Sequence, residues 1–168
     1  GGYAGVYYDG TPNTEFRLFD GAVERIERGA FRSLIESDDD CIVSVNHDMT
    51  TLLGRRSAGT LKLMDDGTGL RWEVPYDEQD DDHRKIARKI QKREITGCSF
   101  AFTKAVDNWQ RDDTRNLKVR TLTDLKVIEL GPVIFPAYKG TSLGMRAEQS
   151  LHEYETQMMI EEIERLTI

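Results

Sequence analysis

Apolar and polar residues alternate along several stretches of the chain, which is the pattern of β-strands that bury one face. Extended segments are predicted at Tyr3–Tyr8, Cys41–Val45, Ile95–Ala105, Leu117–Leu122 and Leu125–Phe135, and a hairpin joins Thr60–Leu63 to Leu70–Val74. The irregular polar stretch Asp107–Asn116 is predicted to be a loop. The pattern therefore indicates a sheet-rich fold in which most neighbouring strands run antiparallel.

Three other segments carry apolar residues at helical spacing. A short helix is predicted around Phe31–Ile35, before the acidic residues 38–40, and a longer one over Asp80–Arg93. The longer helix has an acidic first turn and a basic last turn, which offsets the helix macrodipole. From Met145 to Ile168, apolar residues recur among glutamates and predict a C-terminal amphipathic helix. We expect an α+β domain over residues 1–144 and a helical appendage over residues 145–168.

Composition excludes several classes of function. The chain has 168 residues, of which 32% are charged and 38% hydrophobic, with a net charge of -7. That length suits one globular domain, and the negative charge repels phosphate backbones, so we expect no nucleic-acid partner. The apolar runs are far shorter than the ~20 residues of a membrane span, and the N-terminus lacks a signal-peptide pattern.

The chain shows no pattern for binding a metal or cofactor. The two cysteines match no metal or redox spacing, and we expect them to be reduced cytosolic thiols. The acidic runs lack the ligand spacing of a calcium loop. We therefore expect no metal and no cofactor.

The segment Gly97–Phe102 places a serine between two very small neighbours. Strand alternation puts Ser99 on one face with Gly97 and Ala101, and puts the cysteine and the two phenylalanines on the other. The small neighbours leave space for a carbonyl carbon to approach the hydroxyl, so Ser99 is a candidate nucleophile. The alternative is that the small residues simply admit a packed helix.

A serine hydroxyl is a weak nucleophile unless a base takes its proton, and histidine is suited to that role. His47 follows a predicted strand, on the face of Val43 and Val45 by alternation. His83 and His152 lie in charged helical segments and are predicted to be solvated. His47 is therefore the candidate base, and the alternative is a partly buried histidine satisfied by the backbone.

Glu129 lies in a predicted strand that is apolar on both sides. By alternation its face is shared with Leu125, Val127 and Val133. A buried carboxylate needs a partner, because its desolvation costs several kcal/mol. That partner is either His47, which would make Glu129 the acid that orients the imidazole, or Arg55 or Arg56 in a structural ion pair.

Cys98 adjoins Ser99 and could be proposed as a thiol nucleophile acting with His47. Alternation instead turns Cys98 towards the phenylalanines, where a thiol behaves as a small inert hydrophobe. We therefore predict a structural role for Cys98.

Six segments together resemble the prohead (capsid maturation) proteases of tailed bacteriophages, a serine protease family whose fold is similar to that of herpesvirus assemblin. The matching segments are Gly2-Tyr3-Ala4-Gly5-Val6-Tyr7, Glu24-Arg25-Ile26-Glu27-Arg28-Gly29-Ala30-Phe31, Asn46-His47-Asp48, Leu53-Gly54-Arg55 with Ala58-Gly59-Thr60-Leu61, Gly97-Cys98-Ser99-Phe100-Ala101-Phe102, and Glu129-Leu130-Gly131-Pro132-Val133-Ile134-Phe135-Pro136-Ala137-Tyr138. Each is weak alone, and the specificity comes from their common order between residues 2 and 138. The resemblance implies a herpesvirus-protease-like fold, with a barrel-like and mostly antiparallel core flanked by helices.

The resemblance also implies roles for individual residues. His47 would be the general base, Ser99 the nucleophile and Glu129 the third member of the triad. Assemblin-type enzymes use a second histidine in that third place, which here would have to be His83 or His152, and neither lies in a matching segment.

The oxyanion would be held by backbone N–H groups, with Gly97 and Arg55 as the expected oxyanion or substrate support, and Arg56 as the alternative to Arg55. The sequence departs from the family pattern at Cys98 and Ala101, where methionine and glycine are expected, and at Gly131, where serine is commoner. None of these departures removes a reacting group.

The implied function is a serine endopeptidase that cleaves scaffold segments of the major capsid protein, and also its own chain, during prohead maturation. It would act in the host cytoplasm inside the immature capsid, and it could form a dimer or a higher homo-oligomer. The alternative is an inactive protease-like module that binds capsid or scaffold proteins. The retained serine, histidine and glutamate favour the enzyme.

Overall fold

The computed structural model describes residues 1–134. The predicted C-terminal helix, the boundary after residue 144 and His152 lie outside the described residues. The strands are β1 (Gly2–Val6), β2 (Phe16–Phe19), β3 (Ala22–Ile26), β4 (Ile42–Val45), β5 (Asp48–Arg55), β6 (Lys62–Asp65), β7 (Gly69–Glu73), β8 (Gly97–Asp112) and β9 (Leu117–Val133). The helices are α1 (Arg32–Glu36) and α2 (Asp81–Gln91), with a 3₁₀ turn at Pro12–Thr14.

The strands form two sheets. The smaller sheet has the order β1-β7-β6, and the larger has the order β2-β3-β9-β4-β5 with β8 also paired to β9. Antiparallel pairing predominates, as predicted, and β9 runs parallel to β3 and to β4. The expected barrel is wrong, because β2 and β5 end the larger sheet without pairing to each other within residues 1–134.

One hydrophobic cluster joins the two sheets and α1. Its buried members include Phe31, Leu34, Val43, Leu70, Trp72, Phe102, Leu125, Val127 and Leu130. The faces of β4, β8 and β9 that supply these side chains point into the core, so their opposite faces are left for other residues. The candidate site lies on those opposite faces.

The hairpin and the two helices predicted within residues 1–134 are confirmed. The pattern around Phe31–Ile35 forms α1, and β6 and β7 pair as an antiparallel hairpin. Asp80 caps the start of α2, because its carboxylate accepts hydrogen bonds from the backbone N–H groups of Asp82 and His83.

The predicted loop at Asp107–Asn116 is too long, because only residues 113–116 form a turn. β8 continues to Asp112, and β9 is one long strand where two were expected. A polar stretch can remain in a strand when its partner supplies a continuous ladder, and β8 pairs with β9 from Gly97 to Asp112 with local register shifts. None of the helices within residues 1–134 is long and apolar enough to cross a membrane.

Candidate active site

His47 lies in the tight turn that joins β4 to β5. Val45 pairs with Asp48, so the loop consists of the two residues Asn46 and His47, with φ of 53° and 60°. Positive φ at both central residues is the signature of a type I′ hairpin turn. The prediction that strand alternation places His47 with Val43 and Val45 is therefore wrong, because the turn and not the pleat sets the direction of the ring.

The turn is fastened to the end of β9 by two hydrogen bonds. The backbone N–H of Asn46 donates to the carbonyl oxygen of Pro132 over 3.0 Å. The side-chain oxygen of Asn46 accepts from the backbone N–H of Ile134 over 2.8 Å. Asn46 was not singled out from the sequence, although its tolerance of positive φ marks it as a turn residue.

Glu129 is buried, with 1% of its surface exposed, and both of its carboxylate oxygens are bound. Oε2 lies 2.6 Å from Nδ1 of His47. Oε1 accepts a hydrogen bond of 2.6 Å from the hydroxyl of Ser44, which is fully buried. Of the partners that the sequence left open, the structure pairs Glu129 with His47. Ser44 was missed, because a serine inside an apolar strand carries no motif.

The two arginines have other partners. Nε of Arg55 lies 2.6 Å from Oδ2 of Asp40. The guanidinium of Arg56 donates to the carbonyl oxygens of Leu34, Ile35 and Asp39. Arg56 therefore fastens the end of α1, and the role of Arg55 in supporting the oxyanion stays a prediction.

A β-bulge sets the face on which Glu129 lies. Ala101 pairs with Glu129, whereas the next residue, Phe102, pairs with Val127, so Ile128 is an extra residue on β9. The extra residue reverses the alternation, and Val127 turns into the hydrophobic core. The prediction that Glu129 shares a face with Leu125 and Val127 is therefore wrong. Glu129 does share a face with Val133, as the alternation predicted.

Ser99 lies on the same face of the sheet as Glu129. It pairs directly with Gly131, which is two residues after Glu129 on β9. Diagonal neighbours of this kind lie roughly 7–8 Å apart, with their Cβ atoms somewhat closer. The structure therefore brings Ser99 and the His47–Glu129 pair to one face, although three different loops and strands supply them.

The hydroxyl of Ser99 is buried and unbonded. Ser99 is 2% exposed, and its oxygen has no hydrogen-bond partner among the described residues. The predicted open approach to the hydroxyl is therefore not seen in this conformation. An unsatisfied buried hydroxyl is uncommon and calls for an explanation, of which a catalytic role is one.

The remaining candidates are placed as follows. Gly97 pairs with Val133 at the start of β8, and its predicted oxyanion role stays a prediction. Cys98 packs against the hydrophobic core as predicted, and burial raises the pKa of its thiol. The prediction that His83 is solvated is wrong, because both ring nitrogens have protein partners. Nδ1 accepts a hydrogen bond from the backbone N–H of Asp77 over 3.0 Å, and Nε2 lies 2.8 Å from the carbonyl oxygen of Leu53.

Two further observations concern possible metal ligands and a surface cleft. Within residues 1–134, no group of three or more His, Cys, Asp or Glu side chains is arranged to bind a metal ion. The cleft between β5 and the segment 75–83 is lined by Leu52, Tyr76 and His83 among others, and it includes none of Ser99, His47 and Glu129. The side chains that the structure brings together at the site are a hydroxyl, an imidazole and a carboxylate.

Comparison with protein families gives a match over nearly the whole chain. Residues 1–157 match the family described as caudovirus prohead serine protease. The chain belongs to this family. Comparisons with curated proteins and with solved structures found no match, so the likeness to the herpesvirus protease fold stays a prediction.

Membership places the protein among the serine peptidases of phage capsid maturation. It also supports an interaction with capsid proteins and a setting in the phage-infected host. The family prediction made from the six ordered segments is confirmed.

Proposed function

We propose that this protein is a serine endopeptidase in which Ser99 is the nucleophile, His47 the general base and Glu129 the acid that orients the imidazole. The observation that carries the proposal is the 2.6 Å contact between Nδ1 of His47 and a buried carboxylate, on the sheet face that also holds the unbonded Ser99 hydroxyl. An imidazole held through Nδ1 keeps Nε2 for proton transfer.

The reaction follows from that arrangement. Nε2 of His47 takes the proton of Ser99 as Oγ bonds to the carbonyl carbon of the peptide. The imidazolium then gives the proton to the leaving amine, and the C–N bond breaks to leave an acyl-enzyme. Water, deprotonated by the same histidine, hydrolyses the ester and restores the serine. Glu129 stabilises the imidazolium throughout without itself being protonated.

The tetrahedral intermediate needs donors for its oxyanion, and loss of one donor costs about 10²–10³ in rate. We propose that backbone N–H groups near Gly97 serve this role with support from Arg55. Arg55 pairs with Ile42 across β4 and β5, and Ile42 pairs with Glu129 across β4 and β9, so the three residues form one row across the sheet. To act on the oxyanion, Arg55 would have to exchange Asp40 for the substrate.

The substrate we propose is the scaffold segment of the major capsid protein inside the prohead, together with the protease's own chain. Family membership supports the capsid context. The closed Ser99 hydroxyl fits an enzyme that becomes active only when substrate or assembly opens the site. The protein would then act at a high local concentration of capsid protein, in the host cytoplasm, as a monomer or a homo-oligomer.

The same closed hydroxyl favours a second candidate, an inactive module that binds capsid or scaffold proteins. Ser99 makes no hydrogen bond to His47 in this conformation. A cleavage assay on a capsid protein that carries its scaffold segment distinguishes the enzyme from the inactive module. We expect the full chain to cleave it, Ser99→Ala to abolish cleavage, and Ser33→Ala, a change at a serine bonded to Asp124, to leave the rate unchanged. Binding without cleavage by the unaltered chain would establish the inactive module instead.

A further inference from the structure

Ser44 occupies a position that the triad alone does not explain. It lies in β4, it is fully buried, and its hydroxyl donates to Oε1 of Glu129 over 2.6 Å. The other oxygen of the same carboxylate is the one that contacts His47. We propose that Ser44 is a positioning residue, which holds the Glu129 carboxylate in the orientation that directs His47. The proposal rests on the function proposed above.

The Glu129 carboxylate must be held against rotation if it is to direct the imidazole. The terminal torsion of a glutamate side chain has no sharp minima, so a single contact leaves the carboxylate plane free to turn. Two bonds of 2.6 Å, one to each oxygen, fix that plane. The two-residue turn sets where the His47 side chain begins, and the contact with the carboxylate then holds its ring in place.

The charge of the Glu129 carboxylate also needs a hydrogen-bond donor. A buried carboxylate requires hydrogen-bond donors, because its desolvation is otherwise uncompensated. Among residues 1–134, the described side-chain partners of Glu129 are His47 and Ser44, and Arg55 and Arg56 are engaged elsewhere. Ser44 is thus the neutral donor that supports the charged form without competing with the imidazole for charge.

The backbone of Ser44 is held in place by its contacts with β9. The register of β4 against β5 shifts on both sides of this residue, between Val43 and Ser44 and between Ser44 and Val45. Its carbonyl oxygen is so close to Gly131 that a Cβ atom there would lie 2.0 Å from it. The main chain of Ser44 is therefore packed tightly against β9. This contact fixes the position from which the Ser44 hydroxyl extends, two residues after Ile42, which pairs with Glu129.

The test compares three variants of the full chain. Ser44→Ala removes the hydroxyl, Ser44→Thr retains it, and Val43→Ala shortens a buried neighbour on the same strand that faces the core instead of the carboxylate. One readout is the proton NMR signal of the His47 Nδ1–H, which a strong hydrogen bond to a carboxylate moves far downfield. The other is the separation of kcat from KM on the capsid substrate.

We expect Ser44→Ala to broaden or shift the downfield signal and to lower kcat about tenfold with little change in KM, since a hydrogen bond to a charged group is worth about that factor. Ser44→Thr should restore both readouts towards those of the unaltered chain. Val43→Ala should lower the midpoint of urea unfolding but leave the signal in place.

Two outcomes would overturn the proposal. One is an unchanged His47 signal in a folded Ser44→Ala protein, and the other is an equal loss of signal in Val43→Ala, which would assign the effect to packing. The NMR readout needs no substrate. A chain that shows the Ser44-dependent signal but cleaves nothing would therefore refute the protease function and leave the positioning of Glu129 intact.

Discussion

Gly131 is the position where one added methyl group should disturb the site most. It pairs with Ser99 on one side, and on the other a Cβ atom would lie 2.0 Å from the carbonyl oxygen of Ser44. Cβ atoms in proteins essentially never approach closer than 3.0 Å, so Gly131→Ala requires β4 and β9 to separate by about 1 Å. The φ of 156° at Gly131 adds a backbone conformation that side-chain-bearing residues rarely adopt.

The expected cost follows from these contacts. Overpacking of a buried site typically costs about 1–3 kcal/mol, and the separation also stretches the bond between Ser44 and Glu129, worth roughly 1.5 kcal/mol or more. We therefore predict that Gly131→Ala lowers the free energy of unfolding by about 3 kcal/mol in urea denaturation. Peptide cleavage should be lost even where the variant is fully folded, because the histidine no longer meets its carboxylate.

A matched control is available in the turn between β2 and β3. Gly21 has a φ of 80° and open space where a Cβ atom would stand, so Gly21→Ala carries only the backbone strain, roughly 1–2 kcal/mol. If Gly131→Ala were as stable as Gly21→Ala and still cleaved its substrate, the close approach of β4 to β9 described here would be wrong.

Three further predictions concern ionisable groups. Glu129→Gln should lower kcat by about 10³–10⁴ with a small change in KM, as judged by steady-state kinetics, because the amide cannot stabilise an imidazolium; a loss under tenfold would contradict the assignment. The backbone N–H of Ser57 and the guanidinium of Arg55 hold the pKa of Asp40 at about 2, below the usual 3.8. Asp40 therefore stabilises the fold above pH 4 and loses this effect as the pH falls towards 2. The difference in thermal midpoint between the unaltered chain and Asp40→Asn should accordingly shrink over that interval, and a constant difference would argue against the contact. Burial raises the pKa of Cys41 to about 12 and also raises that of Cys98, so iodoacetamide should modify both thiols slowly at pH 8 in the folded protein and rapidly in urea; fast modification of Cys98 with loss of activity would revive the thiol mechanism.

Sequence patterns predicted the parts of the fold that local chemistry decides. The capped helix α2, the hairpin of β6 and β7, and the face of β8 that carries Ser99 all follow from periodicity and turn residues. The pairing of Glu129 with His47 was one of two outcomes that the cost of a buried carboxylate allowed. The choice between them needed the fold, because it depends on which strands β9 has as neighbours.

The errors have definite physical causes. A bulge at Ile128 reverses the side-chain alternation before Glu129, and no residue type marks that bulge in the sequence. The turn at Asn46 and His47 lacks the glycine that usually signals a type I′ hairpin, so the sequence pattern indicates the end of a strand there. The resemblance implied a barrel, but the sheets are not closed within residues 1–134; closure depends on pairing between distant strands, which the short matching segments do not encode.

The proposed function depends on Ser99 as the nucleophile and on His47 as the base that activates it. The most direct measurement is labelling of the full chain with a serine-reactive phosphonate in the presence of capsid substrate, followed by peptide mapping by mass spectrometry. We expect a single phosphonylated site at Ser99. The rate of this labelling should be much lower in His47→Ala than in the unaltered chain. Modification at another residue, or an equal rate of Ser99 labelling without the histidine, would contradict it.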